Sequence, residues 1–243
     1  MEGNSVKQPG VFLTAEWHNL LMFNYAVDPG MLQRFVPRGT ELDAFEGATY
    51  VSLVGFEFNR TCVAGLAVPF HRSFEEVNLR FYVRRSGRRG VVFIRELVPK
   101  FAVAAIARIA FGENYSRSPM SHSILVHPDS GIIEAEYCWG SGPRRCSMRV
   151  EAEKTSFLPP DDSLGQFITE HYWGYASQSD GVCLEYEVQH PRWLVREAKS
   201  ARFSGDAARY YGAEFAKVLA LPPDSALLAE GSAITVFKGS RVQ

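Results

Sequence analysis

Lysine is scarce in this chain: of 26 cationic side chains, 6 are lysine and 20 are arginine. Arginine is the better fork for carboxylates, but a GC-rich coding sequence gives the same skew and is the plainer cause. Cysteine is scarce too. The four present (Cys62, Cys138, Cys146, Cys183) form no CxxC pair and no metal-ligand spacing, so reduced thiols and no metal are expected. Long apolar runs are missing. The most apolar helix candidate, residues 101–111, is interrupted by Arg108 and falls far short of the roughly 20 residues that cross a bilayer. The opening residues, MEGNSVKQPG, carry neither the basic nor the apolar part of an export signal, which points to a cytoplasmic protein. A formal net charge of -1 gives no bias toward nucleic acid or an anionic membrane surface. No GxSxG elbow, HExxH, phosphate-binding glycine loop or dinucleotide fingerprint occurs, so no cofactor is expected.

What remains is an ordinary globular composition. Hydrophobic residues make up 46% and charged residues 22%, which separates the chain from disordered sequences. Its 243 residues suffice for one substantial core. Strand patterns dominate, at residues 17–27, 49–58, 76–84, 90–98, 123–126, 132–139, 145–153, 182–190 and 233–238. Helical signals are fewer. Asp28 and Pro29 supply an N-cap and first-turn proline for a short helix that Pro37 stops; an alanine-rich helix is predicted over residues 100–110. Ser163 caps another over 163–172, and one over 206–219 ends before Pro222 and Pro223. The pattern predicts an α+β fold, mainly antiparallel β, built on a sheet or barrel.

The segment FEEVNLRFYVRR, residues 74–85, carries the most chemistry. On a strand, Glu76, Asn78, Arg80 and Tyr82 share one face, and Val77, Leu79, Phe81 and Val83 share the other. A two- or four-residue hairpin loop to residues 90–98 would bring Arg95 beside Asn78 or Arg80 on the polar face; a three-residue loop would turn it away. Two readings stay open. The face is a solvated Glu–Arg ladder worth a few tenths of a kcal/mol per pair, or it lines a barrel interior. In the second case a carboxylate among guanidiniums could position an anionic or carbonyl ligand, or move a proton.

Histidines give weaker signals. His171 and His190 sit among large aromatics, a mix found in pockets for small polar ligands and equally in cores where imidazoles meet carbonyls. His71 stands four residues before Glu75, within reach of the same pocket mouth. His122 and His127 are at odd spacing on a strand and face opposite sides, so they cannot easily share a metal. Glu134 and Glu136 face Arg145 and Arg149 of the next predicted strand as a surface ladder. The run RRSGRR at residues 84–89 lacks interleaved aromatics, which argues against nucleic-acid binding.

Residues 18–58 are similar to the first third of acetoacetate decarboxylases: a strand, an Asp-led short helix, a Val-Pro pair and an alternating apolar strand. FEEVNLRFYV and VPKFAVAAIARIAFG follow in the same order and at similar spacing. More closely, FLTAEWHNLLMFNY, PFHRSFEEVNLRFYVRR, GVVFIREL, GENY, FITEHYWGY and VQHPRWLV resemble the YqjF-like family of bacterial proteins, a domain of unknown function in the acetoacetate decarboxylase-like superfamily. The resemblance implies a β-barrel with a few short helices. It would occupy residues 12–238 as a single domain, between tails at 1–11 and 239–243. It also implies roles. Glu76 falls at the decarboxylases' active-site glutamate, and His18 at their substrate-binding arginine. Tyr115 falls near their Schiff-base lysine. A phenol forms no imine, and Lys100 stands too far back, so Schiff-base decarboxylation is not expected. By analogy with the superfamily, a homo-oligomer is expected.

The combined expectation is a pocket for a small carboxylate or carbonyl compound, with Glu76 and Tyr115 as the catalytic pair and His18, Asn78, Arg80, Arg95 and His190 as ligand-binding residues. Either lyase, hydratase or isomerase chemistry proceeds there through an enolate, or a metabolite is held and no bond is broken. Neither nucleic acid nor membrane is an expected partner.

Overall fold

The structure, a computed structural model, describes residues 10–67, 72–100, 112 and 114–242. Among them are fifteen strands: β1 (Val11–Val27), β2 (Glu41–Leu42), β3 (Thr49–Val63), β4 (Leu66–Ala67), β5 (Phe74–Arg85), β6 (Arg88–Val98), β7 (Tyr115–Arg117), β8 (Met120–His127), β9 (Ile132–Trp139), β10 (Cys146–Glu153), β11 (Trp173–Ser177), β12 (Cys183–Gln189), β13 (Val195–Ser204), β14 (Ser225–Phe237) and β15 (Ser240–Val242). The α-helices are α1 (Pro29–Leu32), α2 (Leu164–Thr169) and α3 (Ala208–Leu219). Asp28 caps α1 by accepting from the Gly30 N–H at 2.7 Å, and Ser163 caps α2 through the Gln166 N–H. Residues 101–110 of the helix predicted over 100–110, and the candidate His71, lie outside the described residues.

The strands follow the order β15-β12-β11-β6-β5-β3-β1-β14-β13-β10-β9-β8. Pairing along it is antiparallel except between β6 and β11; off this path, the short β7 also lies parallel to β6. β12 additionally pairs with β14 through Val188 opposite Val236 and Gln189 opposite Thr235. The fold is therefore α+β with a mainly antiparallel sheet and few helices. Residues 240–242, expected to trail as a tail, add β15 to the edge of β12. β14 starts eight residues earlier than its apolar pattern predicts, because Gly231, at φ 84°, interrupts the pattern but keeps its place opposite His18. β13 escapes sequence reading because VREAKSARFS is half-exposed along nearly its whole length.

Strand β5 divides two hydrophobic cores. Its odd residues Val77, Leu79, Phe81 and Val83 pack with Phe23 of β1, Leu53 of β3, Tyr137 and Trp139 of β9 and Phe215 of α3. Its other face packs with Phe56, Phe167 and Trp193, among others. Phe81 and Tyr82 are adjacent, yet 0% and 1% exposed, so each face of the strand is covered. Burial of each such aromatic contributes about 1.5–3 kcal/mol.

Candidate functional site

The even face of β5 lines an internal cavity of about 120 Å³. Glu76, Asn78 and Arg80 all reach it, so the polar face is not a solvated ladder. Glu76 stands opposite Phe56 of β3. Asn78 stands opposite Glu96 of β6, and Glu96 stands beside Tyr115 of β7. The three strands thus carry Asn78, Glu96 and Tyr115 across the sheet in one row.

Glu76 is 2% exposed. Asn78 Nδ2 donates to its Oε1 at 2.9 Å, and the Tyr115 hydroxyl donates to its Oε2 at 3.3 Å. Burial pushes the carboxyl up from 4.5 to about 7, against the two hydrogen bonds and the charge of Arg80, which pull it down. Burial wins because taking an ion out of water costs more than these partners return. The result is a carboxyl divided between its acid and base forms at neutral pH, as proton transfer requires.

Arg80 is 9% exposed. It donates to the Ile168 carbonyl at 3.3 Å and lies 5.8 Å from the Tyr82 ring centroid. Its Nε has no hydrogen-bond partner. Beside it, the His171 ring stacks on Tyr82 with centroids 4.5 Å apart. Burial first, then Arg89 and Arg80, hold His171 well below the usual histidine range, so it is neutral. His190 also lines the cavity. It stacks on Trp193 at 4.1 Å and directs Nδ1 to the Pro191 carbonyl at 2.8 Å; burial lowers its pKa too.

Two expected ligand-binding residues stand elsewhere. Arg95 faces away: the hairpin has the two-residue turn that should have brought it in, but a bulge at Ile94 shifts the register. Arg80 lies opposite Phe93, while Leu79 lies opposite Arg95. A one-residue shift exchanges the faces. Arg95 therefore bonds Asn114 and Ser116, and Glu96 takes the inward place. His18 pairs with Glu16 at 3.1 Å, with its side chain 40% exposed. Its neighbour Trp17 lines the cavity instead. Sequence reading missed Glu96, Trp17 and Thr61; the bulge hides the first, and the other two resemble ordinary strand residues.

The family model DUF2071, "Uncharacterized conserved protein (COG2071)", matches residues 14–233. The chain belongs to this family. A DUF2071 relative in sequence is the "Uncharacterized protein YqjF" of Bacillus subtilis (strain 168), 26% identical over 189 residues, which are 76% of this chain and 75% of that protein. Among solved structures, the enduracididine biosynthesis enzyme MppR complexed with pyruvate matches with TM-score 0.69 and 15% identity, over 99% of this chain and 93% of that one. The acetoacetate decarboxylase of Legionella pneumophila subsp. pneumophila str. Philadelphia 1 matches with TM-score 0.68 and 13% identity, over 100% and 96%. These likenesses give the DUF2071 chain an acetoacetate decarboxylase-like fold. Among the described residues no lysine lines the cavity, and Lys100 donates instead to the Ser73 carbonyl at 2.9 Å.

Proposed function

We propose that this chain binds a small carboxylate or carbonyl compound inside a β-barrel closed by the β12–β14 pairing, and transfers a proton to or from it through Glu76. The observation that carries this reading is a buried carboxyl lining a cavity and titrating at about 7. Ionised Glu76 takes a proton from carbon next to a carbonyl, and the Tyr115 hydroxyl donates to the enolate oxygen that forms. Arg80 holds a carboxylate by charge, Asn78 orients the Glu76 carboxyl, and His190 completes the wall. Tyr115, standing where the resemblance implies a lysine, leaves lyase, hydratase or isomerase chemistry through an enolate and no imine. The pyruvate-complexed state of MppR agrees with a small oxo acid as ligand, in a cytoplasmic protein that assembles as a homo-oligomer.

The test is turnover of small oxo acids and hydroxy acids by the natural chain and by Glu76→Gln. Turnover is expected to fall by roughly 100-fold or more in the variant, as removal of a general base does, with the far-UV spectrum unchanged. Turnover that survives the substitution would remove Glu76 from the mechanism. Binding that survives it, with no product from the natural chain, would make this a non-catalytic binding protein.

A further inference from the structure

Glu96 is buried in the same cavity as Glu76 and has no part in the proton transfer proposed for that residue. It is 1% exposed, lines the cavity and faces inward because of the bulge at Ile94. Its place relative to Glu76 follows from the row across the sheet. Asn78 of β5 lies opposite Glu96 on one side, and Tyr115 of β7 lies opposite it on the other. The two flank Glu96 at about 5 Å each, the spacing of neighbouring strands. Both also hold the Glu76 carboxyl: Asn78 Nδ2 donates to Oε1 at 2.9 Å, and the Tyr115 hydroxyl donates to Oε2 at 3.3 Å. A carboxyl held by both neighbours of Glu96 stands over that row. Glu76 is, besides, the diagonal cross-strand neighbour of Glu96 on one face, a spacing of about 7–8 Å that long side chains bridge. The two carboxyls therefore meet one small ligand from the same wall.

Two carboxyls this close in a buried cavity do not both ionise readily. Arg80 is the one guanidinium among the described lining residues, and a ligand carboxylate takes up its charge. With such a ligand bound, the pair keeps one proton between two carboxyls: a base and an acid side by side. A single carboxylate suffices to take a proton from carbon and return it to carbon. A second acid–base group is needed when a proton must also move between two oxygens of the ligand, as when a carbonyl and the hydroxyl beside it exchange places. Burial favours that exchange over elimination or hydration. Glu76 and Glu96 are 2% and 1% exposed, and an elimination would leave the proton on the wrong carboxyl after each turnover. The exchange returns both to their starting form inside the cavity.

We propose that the site isomerises a small 2-oxo acid with a hydroxyl on the carbon beside its carbonyl, Glu76 carrying the carbon proton and Glu96 the oxygen proton. This rests on the Glu76 assignment above and adds the substrate class and the second carboxyl. Ionised Glu76 takes a proton from the hydroxyl-bearing carbon. The C–H electron pair forms the C=C bond of an enediol, and the carbonyl π pair takes the proton of the Glu96 acid. Glu96, now ionised, takes the proton of the other enediol oxygen, whose pair forms the new C=O bond. The C=C pair then takes the proton back from Glu76 at the former carbonyl carbon. No oxidant or reductant enters, and both carboxyls end as they began. Tyr115, which flanks Glu96, donates to the oxygen on which charge builds. A cavity of about 120 Å³ suits a three- or four-carbon acid of this kind, at about 10–15 Å³ for each enclosed water-sized group.

Hydroxypyruvate and pyruvate together test it. The natural chain should convert hydroxypyruvate to its aldehyde isomer, 2-hydroxy-3-oxopropanoate, followed by proton NMR. Glu96→Gln should lower kcat by roughly 100-fold or more, as loss of an acid–base group does, with KM within about threefold because ligand binding is left in place. Glu96→Asp keeps a carboxyl but draws it back by one methylene, so its kcat should lie between the two. An undiminished kcat in Glu96→Gln, or in Glu96→Asp where the glutamine variant does not fold, overturns the proposal. Pyruvate has no hydroxyl to exchange, and its methyl group should take up deuterium from D2O through Glu76 alone. Deuterium uptake that Glu76→Gln abolishes, with no hydroxypyruvate converted, overturns the isomerase and leaves the Glu76 reading in place. Neither uptake nor conversion overturns both.

Discussion

Burial disfavours the ionised form of Glu76, while Asn78, Tyr115 and Arg80 favour it, and the carboxyl settles at about 7 instead of 4.5. The same shift governs stability. As pH rises, a glutamate in the unfolded chain loses its proton first, so between about 4.5 and 7 the unfolded state binds fewer protons and stability falls. Above pH 7 the full difference costs about 3 kcal/mol. His171 and His190, both lowered by burial, act in the opposite sense. Their unfolded imidazoles take up protons first as pH drops below about 6.5, which weakens the fold toward acid. The natural chain therefore has a blunted pH profile, and only a difference between variants isolates Glu76. Urea denaturation should find Glu76→Gln about 2–3 kcal/mol more stable than the natural chain at pH 8, with the gap closing toward pH 4.5. A gap that ignores pH would mean that burial is not what shifts this carboxyl. Arg80→Met removes the nearest charge that favours ionisation, so the Glu76 midpoint, followed by the carboxyl carbon resonance in NMR, should move above its natural value. A downward movement would contradict the assigned cause.

Between elements, the hairpin of β5 and β6 decides which side chains enter the cavity. Its turn is Ser86-Gly87, both at positive φ, 50° and 78°, the backbone that a two-residue connection between right-twisting strands adopts. Gly87→Ala should lose about 1–2 kcal/mol, the ordinary cost of left-handed backbone for an L-residue. Ser86→Asn should gain stability, since asparagine favours that conformation; thermal melts check both, and an unaffected melt for Gly87→Ala would remove the turn from the account. The division of β5 into a polar and an apolar face was legible in the sequence, whereas the length of the turn, which sets the hairpin register, was left open. What defeated sequence reading was the bulge at Ile94. Nothing in VVFIREL marks an extra residue, because Val91, Val92 and Ile94 are apolar on either side of the shift and only tertiary packing selects between registers. One unseen residue placed Arg95 outside and Glu96 inside. His18 was placed by the resemblance and not by alternation, and the register shift of β1 between His18 and Leu21 means that strict alternation from the strand's ends does not say which of its residues face inward.

Taken as a whole, the molecule sets its cavity wall against a second layer of sheet, and the two layers meet closely at Gly55. A Cβ at Gly55 would lie 2.9 Å from the Tyr137 ring, nearer than carbon atoms pack. Tyr137, on β9, is fully buried and its hydroxyl donates to the Asn19 carbonyl at 2.9 Å. Asn19 lies between Trp17 and Leu20, which line the cavity from β1. The outer layer therefore meets the inner wall closely at this ring, and the ring fits only because residue 55 has no side chain. Gly55→Ala should destabilise by about 1–3 kcal/mol, the usual cost of an extra carbon in a packed core. Tyr137→Leu should cost a similar amount through lost packing and the lost hydroxyl. Combined, the two should cost less than their sum, because the smaller side chain makes room for the new methyl group. Strict additivity in denaturant melts would show that Gly55 and Tyr137 are not in this contact. If the contact is as described, Gly55→Ala should also weaken ligand binding from a position that no ligand touches, since displacing the ring displaces Asn19 and, with it, the Trp17 wall.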